Sequence, residues 1–387
     1  RRLIMSVEEI DLKYSCGRIL AEDVFADIDQ PPFDRVAMDG IAINQSRLKH
    51  SKAFKIVGIV SAGESSSRLP SGDVCLEIMT GAALPDGADM VIPYECIELE
   101  KGFAVIKVDQ KHLSSNIHPK GNDYRRGDKV LEKGSVIKAP IAALLASVGK
   151  GRVMVQSLPK VRIISTGDEL VDIDTKPEPF QIRWSNGMSL FHELVSHGNC
   201  EAVILKVRDN EEEIRSAILD ALKQSDVLLF TGGVSAGKFD FVPKLLKECH
   251  VNQVFHKVAQ RPGKPLWFGE TDEGKFVFGL PGNPVSCLVN LRRFVIPFLD
   301  QAEGVPLTVL KARLSKEVKI EHSLTSYLPI KIQHAEGMLV AHPLKGNGSG
   351  DFFQLRDSDG FMELIPQEGS FASGHLAEIF IWGKTYA

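Results

Sequence analysis

From Val161 to Thr231 the chain alternates short apolar segments with amphipathic segments of helical length. The spacing predicts a strand over 161–165, a helix over 186–197, a strand over 201–207, a helix over 211–224 and a strand over 227–231. Gly198 stands where a helix C-terminal glycine belongs, and Asp209 or Asn210 stands at an N-cap position. A βαβαβ series needs parallel strands with helical crossovers, so this segment predicts a doubly wound, mostly parallel sheet.

The rest of the chain predicts further domains around this α/β segment. The pattern continues with a helix over 240–248, strands near 254–259 and 276–280, and a helix over 284–299, whereas residues 53–110 and 302–387 show short β-type segments between turns. Ser6 and the apolar spacing after it predict a capped helix within 6–25, and Pro140 suits the start of a helix over 141–148. We therefore expect a split α+β domain (1–26 and 126–158), an inserted β-rich domain (27–125), an α/β domain (159–301) and a C-terminal β domain (302–387).

Composition narrows the class of protein. The chain has 387 residues, of which 43% are hydrophobic and 25% charged, as expected for two to four globular domains. A formal net charge of −4 argues against nucleic acid as a partner. The six cysteines form no C-x-x-C pair, no apolar run approaches the length of a membrane span, and no export signal is visible. These features favour a protein of the reducing cytoplasm without a membrane partner.

Four turns that are far apart in sequence each follow an apolar segment and combine glycine with polar or charged groups. Parallel strands bring their carboxyl ends to one edge of a sheet, where ligands commonly bind. Backbone N–H groups, cations and carboxylates gathered there would suit an anionic, phosphate-bearing substrate. The four turns are Thr166-Gly167-Asp168-Glu169, Thr231-Gly232-Gly233-Val234-Ser235, Arg261-Pro262-Gly263-Lys264-Pro265 and Pro281-Gly282-Asn283-Pro284.

Each turn also has a plainer interpretation. The segment from Gly232 to Lys238 resembles a P-loop, but Phe239 replaces the hydroxyl that would hold Mg²⁺, so the turn either cradles another phosphate or only starts a helix capped by Asp240. Asp168 and Glu169 are either caps or groups that act on a substrate, and Glu169 is the sharper candidate for chemistry.

The cations Lys257, Arg261 and Lys264 form either a solvated edge or an oxyanion pocket, and the flanking prolines favour the pocket. The linker Pro31 to Gly40 and the polar return from Asn116 to Gly127 are either rigid hinges or contributors to a neighbouring cleft.

Together and in this order, seven segments resemble the molybdopterin molybdenumtransferase family, the molybdenum-cofactor insertases that include the E domain of gephyrin. They are PPFDRVAMDG, IMTGAALPDGADMVIP, NIHPKGNDYRRGD, ISTGDEL, FTGGVSAGKFDF, RPGKP and GLPGNPVSCLV. The resemblance covers nearly the whole chain. It implies an elongated split domain, an inserted β domain, a doubly wound domain and a C-terminal β-barrel, in a cytosolic homodimer with an inter-subunit cleft.

The resemblance also implies a reaction and a set of residues. Molybdate would be inserted into adenylylated molybdopterin with loss of AMP, assisted by Mg²⁺, and a contact with a molybdopterin adenylyltransferase could deliver the substrate. The implied reacting face is Asp39, Thr80, Asp123 and Glu169, and Asp226 and Asp240 are candidates for the metal or pterin environment. The implied anion-binding residues are Lys257, Arg261, Lys264, Pro281, Pro284 and Ser286, and the glycine turns add Thr166, Gly167, Asp168, Gly232, Gly233, Ser235, Gly282 and Asn283.

The chain departs from the family pattern at Val36, Ile41 and Lys238, where Ser, Tyr and Glu are common. Two alternative functions stay open at this point. One is a nucleotide enzyme similar to the molybdopterin adenylyltransferases, although it would leave the inserted and terminal β domains unexplained. The other is a dimeric scaffold of gephyrin type.

Overall fold

The structure is a computed structural model that describes residues 3–65, 67–198, 200–234, 241–304 and 309–383. The chain divides into two compact units, one formed by residues 1–8 and 155–387 and the other by residues 9–154. Among the described residues, no helix is long and apolar enough to cross a membrane.

A six-stranded mixed sheet forms the centre of the first unit. Its strands in spatial order are Glu201–Val207, Lys160–Thr166, Val227–Thr231, Phe276–Leu280, Trp267–Glu270 and Asn252–His256. The first four are mutually parallel, and Trp267–Glu270 runs antiparallel to both of its neighbours, Phe276–Leu280 and Asn252–His256. The prediction of a doubly wound, mostly parallel sheet is confirmed for the four strands. The strand Trp267–Glu270 was not predicted from the sequence.

Two helices of this unit begin or end at a residue that favours a helix terminus. The helices of the unit are Asn186–His197, Glu211–Gln224, Val242–Glu248, Pro284–Asn290 and Ile296–Glu303, and a π-helical turn, Leu291–Val295, joins the last two. Gly198 ends the first helix with φ of 79°, in the left-handed region that glycine adopts without steric cost. The Asn210 side chain accepts hydrogen bonds from the backbone N–H groups of Glu212 and Glu213, so Asn210 rather than Asp209 is the N-cap.

The sheet is covered by helices on both faces. One core packs Ile163, Leu229 and Phe278 against the helices Asn186–His197 and Pro284–Asn290, and the other packs Ile164, Phe230 and Val277 against Glu211–Gln224 and Val242–Glu248. Strands buried on both faces read as continuous apolar runs, as Val227–Thr231 does.

The C-terminal strands close into a five-stranded barrel within the same unit. In order around the barrel they are Thr325–Ala335, Met338–Pro343, Leu310–Leu314, Leu376–Ile381 and Gly360–Leu364, which pairs again with Thr325–Ala335. The short strand Gln260–Arg261 adds to the barrel edge in parallel with Thr325–Ala335. The α/β region and the barrel are therefore joined through the segment that carries Arg261.

The described residues of the second unit form a separate six-stranded sheet and one α-helix. The strands in spatial order are Met90–Pro93, Gly40–Ile43, Val74–Ile78, Ala53–Val60, Phe103–Ile106 and Ile97–Glu100, and the helix is Ala139–Ser147. The prediction of a helix within 6–25 is wrong, because Val7–Asp11 is a strand followed by a 3₁₀ turn, Leu12–Tyr14. The apolar residues after Ser6 have the spacing of a helix, but the segment Val7–Asp11 is extended.

A buried ion pair joins the helix Asn186–His197 to the π-helical turn. Arg292 Nη1 lies 3.0 Å from Glu193 Oε1, and the two residues are 7% and 8% exposed. The same carboxylate accepts a hydrogen bond from the backbone N–H of Gly383, 3.0 Å away. Removing one partner of a buried pair leaves the other charge uncompensated, which is more costly than replacing both.

We expect Glu193→Leu to lower the free energy of unfolding by about 3–5 kcal/mol, and Glu193→Leu combined with Arg292→Met to recover most of that loss. Urea unfolding of the single and double variants measures both values. The exposed pair Arg356–Asp357 serves as the control, and Asp357→Ala should leave the free energy of unfolding nearly unchanged. A double variant as unstable as Glu193→Leu would contradict the prediction.

Candidate functional site

Three of the glycine turns meet at the carboxyl edge of the parallel strands. A Cβ atom on Gly232 would lie 2.8 Å from the carbonyl oxygen of Thr166, so only glycine fits this close approach. A Cβ on Gly282 would lie 3.8 Å from Gly232 Cα, and Asn186 Nδ2 donates a 2.6 Å hydrogen bond to Gly282 O. Gly233 likewise packs against Thr166, whose Oγ1 would lie 3.2 Å from a Cβ there. Backbones from three strand ends are thus in direct contact.

The fourth turn lines a cavity of about 1090 Å³ together with the Pro281 turn. Arg261 and Lys264 lie on its wall with Pro281, Asn283 and Ser286, so five of the predicted binding residues share this one space. Arg261 and Lys264 are exposed, and neither forms an ion pair within the part of the chain that the structure describes. Cations without carboxylate partners at the wall of a cavity are available to an anionic ligand.

Buried amide side chains hold this turn against the helix that carries Ser286. Asn290 and Gln260 are 0% and 3% exposed, and Gln260 Nε2 donates to Asn290 Oδ1 at 2.7 Å. Gln260 Nε2 also donates to Pro262 O at 3.0 Å, and Asn290 Nδ2 donates to Gly263 O at 3.1 Å. A Cβ on Gly263, where φ is +91°, would lie 2.6 Å from Gln260 Nε2. Arg261 and Lys264 therefore project from a turn whose backbone is fixed on both sides.

The barrel also contributes residues to the wall of this cavity, and sequence reasoning missed them. The barrel residues with polar side chains on this wall include His322, Ser326, Lys345, Asn347 and Ser349. Asn283 Nδ2 donates to Ser349 Oγ at 2.9 Å, and the backbone N–H of Val285 donates to Ser349 O at 3.2 Å. No motif marks these residues, because barrel closure and the docking of one loop bring them together.

The Thr166 turn places its two acids differently. Asp168 Oδ1 accepts a 3.1 Å hydrogen bond from the backbone N–H of Asp209, which gives Asp168 the role of a loop cap. Asp168 and Gly167 also line a second cavity, of about 720 Å³, with Lys206 and Arg208. Glu169 is exposed, and its carboxylate oxygens lie 2.6 and 2.7 Å from the position that a Cβ on Gly167 would occupy. The Asp168 carboxylate is thus bonded to the backbone of Asp209, whereas the Glu169 carboxylate is exposed beside Gly167.

Other predicted site residues lie apart from the cavity or outside the described residues. Asp226 precedes the strand Val227–Thr231, so about 16 Å of strand separates it from the glycine turn that follows. It accepts from Lys275 Nζ at 3.1 Å and from the backbone N–H of Lys160 at 2.9 Å. Asp226 is therefore ion-paired at the other end of this strand from the glycine turn, and its place in the metal or pterin environment stays a prediction. Ser235 and Asp240 lie outside the described residues.

Lys257 and Pro284 stand near the cavity in sequence but are not among the residues of its wall. Lys257 has φ of +77°, a left-handed conformation that is costly for a residue with a Cβ. Its backbone N–H donates to Leu266 O at 2.7 Å. Pro284 occupies the first turn of its helix, where a missing N–H is tolerated.

The second unit holds two predicted site residues side by side. The backbone N–H of Thr80 donates to Asp39 Oδ1 at 2.6 Å, and this hydrogen bond lowers the pKa of the Asp39 carboxyl. The backbone N–H of Tyr94 donates to Asp39 O at 3.2 Å, and burial together with its hydrogen bond to Glu77 raises the pKa of Tyr94 to about 12. Asp39 is therefore an exposed, ionised carboxylate with a fixed orientation.

Asp123 lies in a short relay in the same unit. Arg35 Nη2 is 3.2 Å from His118 Nδ1, and His118 Nε2 is 2.9 Å from Asp123 Oδ1. Because arginine only donates, the neutral histidine would accept at Nδ1 and donate from Nε2 to the carboxylate. The PPFDRVAMDG and NIHPKGND segments therefore meet in the fold.

The described residues do not form a metal centre. No group of three or more His, Cys, Asp or Glu side chains lies close enough together to hold a metal ion within those residues. Asp226 is paired with Lys275, which occupies one of its oxygens with a cation. The donor set that the structure describes therefore does not fit a resident divalent ion, and no step is assigned to one.

A doubly wound domain that shares a cavity with a C-terminal barrel defines the architecture, and comparison with known proteins places the chain further. Residues 1–149 match the family model for the MoeA N-terminal region (domain I and II), residues 162–301 a probable molybdopterin binding domain, and residues 311–382 the MoeA C-terminal region (domain IV).

Curated relatives cover nearly the whole chain. It is 40% identical over 377 residues to a molybdopterin molybdenumtransferase of Synechocystis, covering 96% of this chain and 94% of the relative, and 33% identical over 386 residues to one of Staphylococcus aureus, covering 96% and 90%. A crystal structure of a molybdopterin biosynthesis MoeA protein from Pyrococcus horikoshii superposes with a TM-score of 0.80 at 33% identity and covers 98% of this chain and 95% of that one. The chain belongs to the molybdopterin molybdenumtransferase family, a family of transferases of molybdenum cofactor biosynthesis.

We expect Asn290→Leu to lower the free energy of unfolding by about 1–3 kcal/mol, because Gly263 O and one Gln260 N–H would lose their buried partner. The released turn should also weaken binding of inorganic molybdate. Urea unfolding and calorimetric titration measure the two effects. Gln367→Leu removes an amide that bonds an exposed carbonyl and should change neither. Unchanged molybdate affinity in Asn290→Leu would show that the amides do not position the cations.

We expect Gly167→Ala to reduce molybdenum transfer at least about tenfold, because the new Cβ would displace the Glu169 carboxylate. Gly337→Ala is the matched control, since Gly337 has φ of +77° and no atom within 4 Å of a Cβ position. Both variants should lose stability to backbone strain, because Gly167 and Gly337 both have positive φ, +152° and +77°. Equal activities in the two variants would separate Glu169 from the reaction.

Proposed function

We propose that this protein inserts molybdate into adenylylated molybdopterin and releases AMP. The observation that carries the proposal is the shared cavity of Arg261, Lys264 and Ser286, in which two cations lack partners among the described residues. Membership of the molybdenumtransferase family supports the substrate class. A tetrahedral dianion and a phosphoanhydride both require fixed cations and hydrogen-bond donors.

The proposed mechanism is mainly one of positioning. Arg261, Lys264 and Ser286, with Lys257 and the prolines of the Pro281 turn, would hold the oxygens of molybdate and of the substrate phosphates. The dithiolene sulfurs of the substrate can attack molybdenum themselves, so no covalent protein intermediate is required. Asp39, Thr80, Asp123 and Glu169 would face the reacting groups, with Glu169 as the acid or base.

The partners and cofactor of this reaction are also proposals. We infer a homodimer with an inter-subunit cleft, a cytoplasmic location, and a transfer contact with a molybdopterin adenylyltransferase. Mg²⁺ is the proposed cofactor. Asp226 and Asp240 are the residues that the sequence proposes for its environment, and Asp240 lies outside the described residues.

We expect Glu169→Gln to reduce molybdate-dependent AMP release at least about a hundredfold, because it removes an ionisable group and keeps the shape of the side chain. The assay incubates the protein with adenylylated molybdopterin, molybdate and Mg²⁺ and follows AMP. Glu178→Gln, in an exposed position of the loop that follows, should retain full activity. Wild-type protein that releases no AMP with molybdate would overturn the proposed function and leave the nucleotide-enzyme and scaffold interpretations.

A further inference from the structure

The wall that the barrel contributes to the cavity contains a hydroxyl without a partner. Ser326 is 4% exposed, and its Oγ has no hydrogen-bond partner among the described residues. Ser326 nevertheless lines the cavity that Arg261 and Lys264 share. A buried hydroxyl without a hydrogen bond costs stability, so its presence beside a cavity indicates a ligand that completes it.

The position of Ser326 relative to Arg261 is fixed by strand pairing. Gln260–Arg261 pairs in parallel with the start of Thr325–Ala335, and Arg261 is the register partner of Ser326. The backbone N–H of Thr325 donates to Ala259 O at 3.1 Å, which ties the two segments together. The hydroxyl and the guanidinium therefore belong to neighbouring strands at one wall of one cavity.

The next residue anchors this strand to the helices. Tyr327 OH lies 2.5 Å from Glu363 Oε1 and 3.2 Å from Arg293 Nε, and Arg293 Nε is 3.3 Å from the same carboxylate oxygen. Burial and the hydrogen bond to Glu363 raise the pKa of Tyr327 above its usual range. Tyr327, Glu363 and Arg293 thus bond to one another. The neighbouring Ser326 hydroxyl has no such hydrogen bond among the described residues.

We propose that Ser326 is a substrate-binding residue, and that its hydroxyl donates a hydrogen bond to a tetrahedral oxyanion that Arg261 holds. The inference rests on the proposed function for the identity of the substrate and deepens it, because it makes the barrel part of the oxyanion site. The same chemistry fits molybdate itself or a phosphate group of the nucleotide-bearing substrate. Both have oxygens at tetrahedral angles that can accept from a hydroxyl while a guanidinium neutralises their charge.

The test measures binding of inorganic molybdate and, separately, of AMP to the intact protein by calorimetry. Ser326→Ala should weaken binding of at least one of the two probes about tenfold or more, because a hydrogen bond to a charged group is lost. Ser326→Thr keeps the hydroxyl and should restore most of that affinity. A loss confined to molybdate assigns the hydroxyl to the molybdate oxygens, and a loss confined to AMP assigns it to a phosphate.

Thermal unfolding without ligand distinguishes binding from a structural role. Ser326→Ala should keep or raise the midpoint, because it removes a buried hydroxyl that has no partner. Ser358→Ala is the matched control, since this buried barrel hydroxyl donates to Leu355 O at 2.8 Å, and its loss should lower the midpoint without changing either affinity.

Unchanged affinity for both probes in Ser326→Ala, or a lowered midpoint, would overturn the inference. Because the probes are inorganic molybdate and AMP alone, this result is independent of turnover. Protein that binds either probe through Ser326 but releases no AMP would overturn the proposed reaction and leave the oxyanion site standing.

Discussion

The site depends on backbone contact at the carboxyl edge of the parallel strands. The Gly232 Cα position faces the Thr166 carbonyl so closely that any side chain would collide with it, and Gly282 packs against the same glycine. Close approach of three strand ends brings their turns to one edge, and one of these, the Pro281 turn, shares a cavity with the Arg261 turn. The charged and polar groups of these turns can therefore come together only because a few positions carry no side chain.

Much of the α/β region could be predicted because its signals are local. The helices Asn186–His197 and Glu211–Gln224 combine an apolar period with a terminal glycine or an asparagine cap, and both signals act within one or two turns. The strand Val7–Asp11 imitated a helix, and Trp267–Glu270 was too short to recognise. Strand pairing depends on residues distant along the chain, which local spacing does not register.

The candidate site was predictable only on the α/β side. Arg261, Lys264 and Ser286 belong to glycine turns that follow strands, and the rule for parallel sheets brings such turns together. Asp226 precedes its strand instead, so the same rule places it at the far edge, where Lys275 neutralises it. Ser326 and Lys345 carry no motif, since they reach the cavity through closure of the barrel and through the loop that Asn283 binds. The roles of all these residues remain predictions, as do the domain boundaries and the dimer.

Around the cavity, some polar side chains are hydrogen-bonded within the protein and others are not. Gln260, Asn290, Tyr327 and Glu363 form hydrogen bonds with one another or with adjacent backbone, so the framework has little freedom to rearrange. Arg261, Lys264 and Ser326 face the cavity from that framework without protein partners among the described residues. A rigid framework with open donors stabilises an oxyanion without spending free energy on orienting dipoles when it arrives. Of these three side chains Ser326 is the buried one, so its unpaired hydroxyl lowers the stability of the empty fold, whereas Arg261 and Lys264 are exposed and hydrated.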